Sequence, residues 1–426
     1  MNTIAAQLKE HQVPFSTLHQ HYRPMLNLVK ELIGVVPNCD LTLEIWPPGF
    51  RTYNLIVPNL LNLPGSLLGN KELKSSVGLG MYASSLAAGC PYCTAHTCSF
   101  AMRRGLDPTK IHSGRSPKEA AVVQVAERLS RVPHELTREQ CDELSQHYSE
   151  RESRWVLMGI AMMGFLNKFM DAMGIPLEEE ALADTGKILD GTGWAPGYHV
   201  EGPYETPQNF VKPKTDNFGT YLRVLRQAPA AIKLENKWIR GVPKKYPEVG
   251  AYLEAQTGYS FPLLAHCQEG RVIRAIATVL RDNLDANTTK IGIDSKCLAG
   301  LVFARVVGNQ RLADEAATLV GHHSSTLGRE TADKVGELAM EYGKFDQQSS
   351  KQLITALVSM GLTKKQAAGV VLAKAASNSP AEVNKAVLQE VVPLLTAKEV
   401  VELVVWISVQ QMLHRLYTYF EVSGTL

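Results

Sequence analysis

The run Ala88-Gly89-Cys90-Pro91-Tyr92-Cys93-Thr94-Ala95-His96-Thr97-Cys98 gathers three cysteines and a histidine in a chain with only 7 cysteines. Two thiols at i and i+3, with an imidazole three residues on, are the parts of a redox dithiol. Gly89 suits a helix stop and Pro91 the first turn of the next helix, which puts Cys90 at a helix N-terminus and Cys93 in its first turn. Unpaired N–H groups and the helix dipole favour a thiolate there, and the imidazole can take the proton. A second thiol in reach can resolve an oxidised first one to a disulfide. At about 100° per residue Cys93 and His96 share a face, about 60° apart, and Cys98 points elsewhere. Two other readings stand beside this one. Cys90, Cys93, His96 and Cys98 have the residue types of a zinc or iron–sulfur site, although one helix cannot wrap four ligands around an ion. Buried free cysteines are also common as plain core residues.

The elements that must position this run are helical. Met25 to Ile33 has helical spacing and Gly34 ends it. Trp46-Pro47-Pro48-Gly49-Phe50 reads as a turn, and Pro58 and Pro64-Gly65 as further breaks. Val77 to Ala88, small and apolar, suits close helix packing before the motif. Ser116-Pro117-Lys118-Glu119 and Ser149-Glu150-Arg151-Glu152 are capping boxes. The second opens a helix, apolar almost all round, that runs to Met173 and Gly174 and belongs in a bundle centre or subunit interface. Residues 184–215 lose helical periodicity through Gly186, Gly191, Gly193, Pro196, Gly197, Gly202, Pro203, Pro207 and Pro213, which marks an interdomain connection. Helical spacing resumes through Tyr221 to Leu234 and Val272 to Leu284.

A weak internal repeat suggests that the helical module is duplicated. Thr396-Ala397-Lys398-Glu399 repeats the cap at Ser149, and Ser379-Pro380-Ala381-Glu382 repeats the start at Ser116. Sliding Gly308 onto Gly89 replaces Cys90, Cys93 and His96 by Asn309, Leu312 and Glu315. The expected architecture is therefore all-α: residues 1–183 form a thiol-bearing module, 184–215 a connection, and 216–426 a degenerate copy without the thiols.

Composition excludes several classes. Across 426 residues, 45% hydrophobic and 20% charged content suits globular modules with sizeable cores, and a net charge of +2 leaves no footprint for nucleic acid. Sparse cysteines point to a reducing cytosol. The first residues lack a signal-peptide pattern, and the run Trp155 to Leu166 is too short to span a membrane. A cytoplasmic protein that binds neither membrane nor nucleic acid is the expectation.

Ser84-Ser85-Leu86-Ala87-Ala88-Gly89-Cys90-Pro91-Tyr92-Cys93-Thr94-Ala95-His96-Thr97 resembles the alkylhydroperoxidase D-like, or carboxymuconolactone decarboxylase-like, superfamily. Gly164 to Ala172 looks like that family's last core helix. The resemblance covers about residues 45–175 and implies an all-helical bundle, homo-oligomeric packing and thiol-dependent reduction of a hydroperoxide. By it Cys93 attacks the peroxide, Cys90 resolves and faces a dithiol carrier or reductase partner, and His96 serves the proton relay. No bound cofactor is implied, only an external dithiol reductant. The family's peroxidases carry a glutamate about three turns before the first cysteine, where this chain has Gly78, and often three residues rather than two before the histidine. The redox pair argues against lactone decarboxylation. The non-enzymatic alternative is a binding or assembly protein that keeps the fold without turnover.

Overall fold

A computed structural model describes residues 2–207, 215–325 and 327–426, and among these every regular element is helical. The first half contributes α1 (Phe15–Ile33), α2 (Pro47–Leu60), α3 (Lys71–Ala87), α4 (Pro91–Arg103), α5 (Pro117–Ser130), α6 (Glu150–Met173) and α7 (Glu179–Leu189). The second contributes α8 (Phe218–Trp238), α9 (Gly270–Asn283), α10 (Ile293–Val306), α11 (Gln310–His323), α12 (Lys364–Ser377) and α13 (Ala397–Val422). The all-α expectation holds, and the caps at Ser116, Ser149 and Thr396 start α5, α6 and α13 as capping boxes.

The core is built on α6 against α13, the two helices buried almost all round. Gly164 lets them meet: a Cβ there would lie 2.9 Å from the Gln411 carbonyl oxygen. By length and composition α6 could cross a membrane, unlike the shorter run considered above, yet 94% of its most apolar window is buried inside the protein. The motif hairpin α3–α4 packs on α6 and α5. The α3–α4 contact is close because α3 is rich in small residues, and Gly78 faces the backbone of Ala101.

The second half contains a hairpin of the same construction. Gly89 and Gly308 both turn the chain at positive φ, +67° and +69°. After each, the cap residue's side chain accepts from the backbone N–H three residues on, Cys90 Sγ from Cys93 (3.4 Å) and Asn309 Oδ1 from Leu312 (2.9 Å). As α3 packs on α4, α5 and α6, so α10 packs on α11, α12 and α13.

Three expectations need correction. The helix matching α5 in this packing is α12, opened by a Thr363–Gln366 capping box, and not a helix starting at Ser379. Residues 378–384 are irregular, because α12 has just ended at Ser377. Pro47 and Pro48 do not form a turn but open α2, since the N–H groups they lack have no partner in a first helical turn anyway. Pro58 lies inside the same helix rather than breaking it. The glycine- and proline-rich stretch packs on the first half. Gly186 falls within α7, where a Cβ would lie 2.8 Å from Pro207 Cδ, and the loop beyond it lies over the motif. Pro213 lies outside the described residues. The two halves pack on each other, α8 on α1 and α9 on α2.

Candidate thiol site

Cys90 is the N-cap of α4 with extended backbone (φ −103°, ψ 97°), and Pro91 takes the first helical position. Cys93 and His96 then fall one turn apart on the face turned toward α1 and α6, so the sequence-predicted trio is brought together. Both thiols are buried, Cys90 at 1% exposure and Cys93 at 3%. Burial pushes the Cys93 thiol well above its ordinary range, and its hydrogen bond and charge contact with Cys90 push it further. At neutral pH Cys93 therefore rests as a thiol and needs a base to become a nucleophile.

The carboxylate with no place in the motif comes from elsewhere in the chain. Glu178 occupies the N-cap position of α7 but leaves its own helix uncapped and reaches back to α4. One carboxylate oxygen contacts His96 Nε2 at 2.7 Å. The other accepts from the Tyr92 hydroxyl at 2.8 Å and the Asn38 N–H at 2.6 Å. Burial alone would raise this carboxyl. The charge and hydrogen bond of His96, with the bonds from Asn38 and Tyr92, instead hold it below the ordinary carboxylate range. Tyr92 also lies over the His96 ring, 4.5 Å between centroids. Sequence reasoning missed Glu178 because Leu177-Glu178-Glu179-Glu180 reads as acidic residues at a helix start. Nothing local distinguishes it from Glu179.

Gly78, where the family's peroxidases carry their glutamate, has no room for one. A Cβ at Gly78 would sit 2.8 Å from Ala101 Cα and 3.0 Å from Ala101 Cβ. The carboxylate beside His96 is that of Glu178, and position 78 is closed to a side chain.

Cys93 and His96 line a small cavity of about 60 Å³ whose remaining walls include Tyr53, Met81, Phe100 and Met163. The glycine turn that precedes Cys90 lies beneath the second half. There Lys168 of α6 donates to Ser377 O (2.9 Å), Ser379 Oγ (3.1 Å) and Asn378 O, fixing 377–379, and Pro380 rests on Gly89. Asp171 accepts from Ala381 N–H (2.5 Å) and from the Tyr198 hydroxyl. Trp194 donates to Pro91 O (3.0 Å), and buried His199, pushed down to about 4 by burial, closes the site beside Tyr92. The segment after α12 and the 190–204 loop thus flank Cys90 through its neighbours Gly89 and Pro91.

Cys98 is buried, with its thiol pushed up to about 12 by burial. Among the described residues no three His, Cys, Asp or Glu side chains gather so as to hold a metal ion. Cys39, expected to be an isolated core thiol, is buried but close to this site. Burial comes first in raising its thiol, followed by the charges of Asp40 and Glu178.

No family model matches the chain, and no curated protein matches it. Among solved structures it is similar to the debrominase Bmp8: the apo form is 26% identical, covering 40% of this chain and 92% of that one, with a TM-score of 0.35. A cysteine-to-alanine variant of that debrominase in complex with 2,3,4-tribromopyrrole is 25% identical, covering 42% and 95%, with a TM-score of 0.37. At such scores the likeness carries no argument about this chain.

Proposed function

We propose that the chain is a thiol peroxidase of the alkylhydroperoxidase D-like kind, using Cys93, Cys90 and His96 with Glu178. The observation that carries this reading is the Glu178–His96 contact at 2.7 Å beside a buried Cys93. A thiol whose pKa burial has raised gains most from a base held by a carboxylate.

In this mechanism His96 takes the Cys93 proton while Glu178 stabilises the imidazolium. The thiolate attacks one oxygen of the hydroperoxide and the O–O bond breaks. The departing alkoxide takes the proton back from His96, leaving a Cys93 sulfenic acid and an alcohol. Cys90 attacks that sulfur, water leaves, and a Cys90–Cys93 disulfide remains. An external dithiol carrier or reductase then supplies two electrons and two protons. The second half is, in the same proposal, a degenerate copy: its matching hairpin, with Asn309, Leu312 and Glu315 in the motif positions, supports that reading.

One equivalent of hydroperoxide should remove two titratable thiols from the reduced protein, and Cys93→Ser should abolish the loss. Equal peroxide consumption by wild type and Cys93→Ser would end the proposal. The coverage of both thiols favours one competing reading, a binding or assembly protein without turnover. It predicts unchanged thiols after peroxide whatever reductant is supplied.

A further inference from the structure

The cavity of about 60 Å³ beside Cys93 is small, with room for a few atoms only. A peroxide group fits there; a larger substrate must keep its body elsewhere. A second hollow adjoins it. This groove of about 390 Å³ shares Leu61 and Phe100 with the Cys93 cavity, so these two side chains are the partition between the two spaces. Its volume falls within the roughly 300–1,000 Å³ of small-molecule sites, which the inner cavity does not reach.

The groove's lining is amphipathic. Leu60, Leu73, Val77 and Trp155 give it an apolar wall, and two cations stand at the partition end. Arg104 places its guanidinium carbon 4.3 Å from the Phe100 ring centroid. It also pairs with Asp216 and donates to Leu32 O at 3.2 Å. Lys74 donates to Leu67 O at 2.9 Å, and no ion pair to a carboxylate is made by its ammonium among the described residues. Burial, and then the charge of Arg104, push its pKa down. The Asp216 carboxylate on Arg104 offsets only part of this, and the Lys74 ammonium is left without an ion partner of its own among the described residues. Every other charge of the lining is engaged: Arg104 pairs with Asp216, Arg151 with Glu269, and Glu152 is held by the Ser149 cap.

We propose that this groove binds the body of the substrate, and that the substrate is an amphipathic organic carboxylate such as a fatty-acid hydroperoxide. Its carboxylate sits at Lys74, beside the Arg104–Asp216 pair, its chain lies along Leu73 and Trp155, and its peroxide passes between Leu61 and Phe100 to Cys93. The identity of the reacting group rests on the peroxidase reading, whereas the groove's preference for an apolar anion does not.

Calorimetric titration of the Cys93→Ser protein with dodecanoate and with dodecanol separates the two claims, since neither ligand can react. Saturable binding of one dodecanoate per chain is expected, with dodecanol about tenfold weaker. Lys74→Met should weaken dodecanoate about tenfold while leaving dodecanol unchanged, a difference of about 1.4 kcal/mol. Leu73→Trp, filling the groove, should abolish both. Absence of saturable binding, equal affinity for acid and alcohol, or indifference to both substitutions overturns the inference. Thiol loss with hydrogen peroxide but no dodecanoate binding would sink the groove alone. Dodecanoate binding without thiol loss to any hydroperoxide would sink the peroxidase reading alone.

Discussion

Replacing Glu178 by glutamine tests the relay with the least disturbance of its surroundings. The glutamine oxygen can keep the bonds from Asn38 N–H and Tyr92, now 2.6 and 2.8 Å, which places its NH₂ group against His96 Nε2. His96 must then offer a lone pair at Nε2, and the charge that stabilised its imidazolium is gone. Two unit charges about 4 Å apart interact by about 4 kcal/mol at an effective dielectric near 20. His96 is only 14% exposed, so little of that is lost to solvent. At about 1.4 kcal/mol per decade, single-turnover oxidation of Cys93 should slow by on the order of 10²–10³. The assay is rapid mixing with one equivalent of hydroperoxide, quenched into a thiol reagent. Melting of Glu178→Gln should stay near wild type, whereas Glu178→Ala strands three donors at roughly 1–3 kcal/mol each. The sign of the pH effect also follows. A carboxyl held below its ordinary range contributes stability that is present above that range and lost as pH falls through the depressed value. The glutamine variant should therefore lack part of the wild-type acid-unfolding limb below about pH 4. Oxidation within about threefold of wild type would refute the relay.

Two further substitutions probe the scaffold. Placing the family's glutamate at its usual position, Gly78→Glu, should not add a relay but force α3 from α4, with a Cβ 2.8 Å from Ala101 Cα. Urea unfolding should show a loss of at least the 1–3 kcal/mol typical of overpacking, and a variant as stable as wild type would contradict the close contact. Asp40, fully buried, has its carboxyl pushed up to about 8 by burial, with the charges of Glu178 and Glu44 adding and the Asn54 amide offsetting. Such a raised acid costs stability progressively as pH rises from 3.8 toward 8, by up to about 1.4 kcal/mol per unit. Asp40→Asn should thus gain melting temperature over wild type from pH 5 to pH 8, and parallel profiles would show that Asp40 does not titrate in this way.

The local parts of this site were legible because they rest on local rules. A glycine at positive φ, a proline in the first turn and a thiol at the N-cap follow from the order Gly89-Cys90-Pro91. The capping boxes at Ser116, Ser149 and Thr396 follow from spacing of three residues. Prolines were the exception. Pro47 and Pro48 look alike in a turn and at a helix start, and only the chain that follows them separates the two cases. The repeat beginning at Ser379 failed for a related reason. Four matching residue types do not make a cap unless a helix follows, and the helix that packs like α5 starts at Thr363 instead.

By itself the sequence determined an all-helical chain, the placing of Cys90, Cys93 and His96 within the first two turns of one helix, and the likeness of the two glycine turns. All of these depend on residues within a few positions of one another. Tertiary structure alone chose Glu178 over its neighbours as the carboxylate on His96, 82 residues away. It also excluded a side chain at Gly78, folded the 190–204 loop over the motif and laid residues 377–381 against the Gly89 turn. Those outcomes come from how close two helix backbones approach and where a distant loop lands. Neither is written in the spacing of a motif.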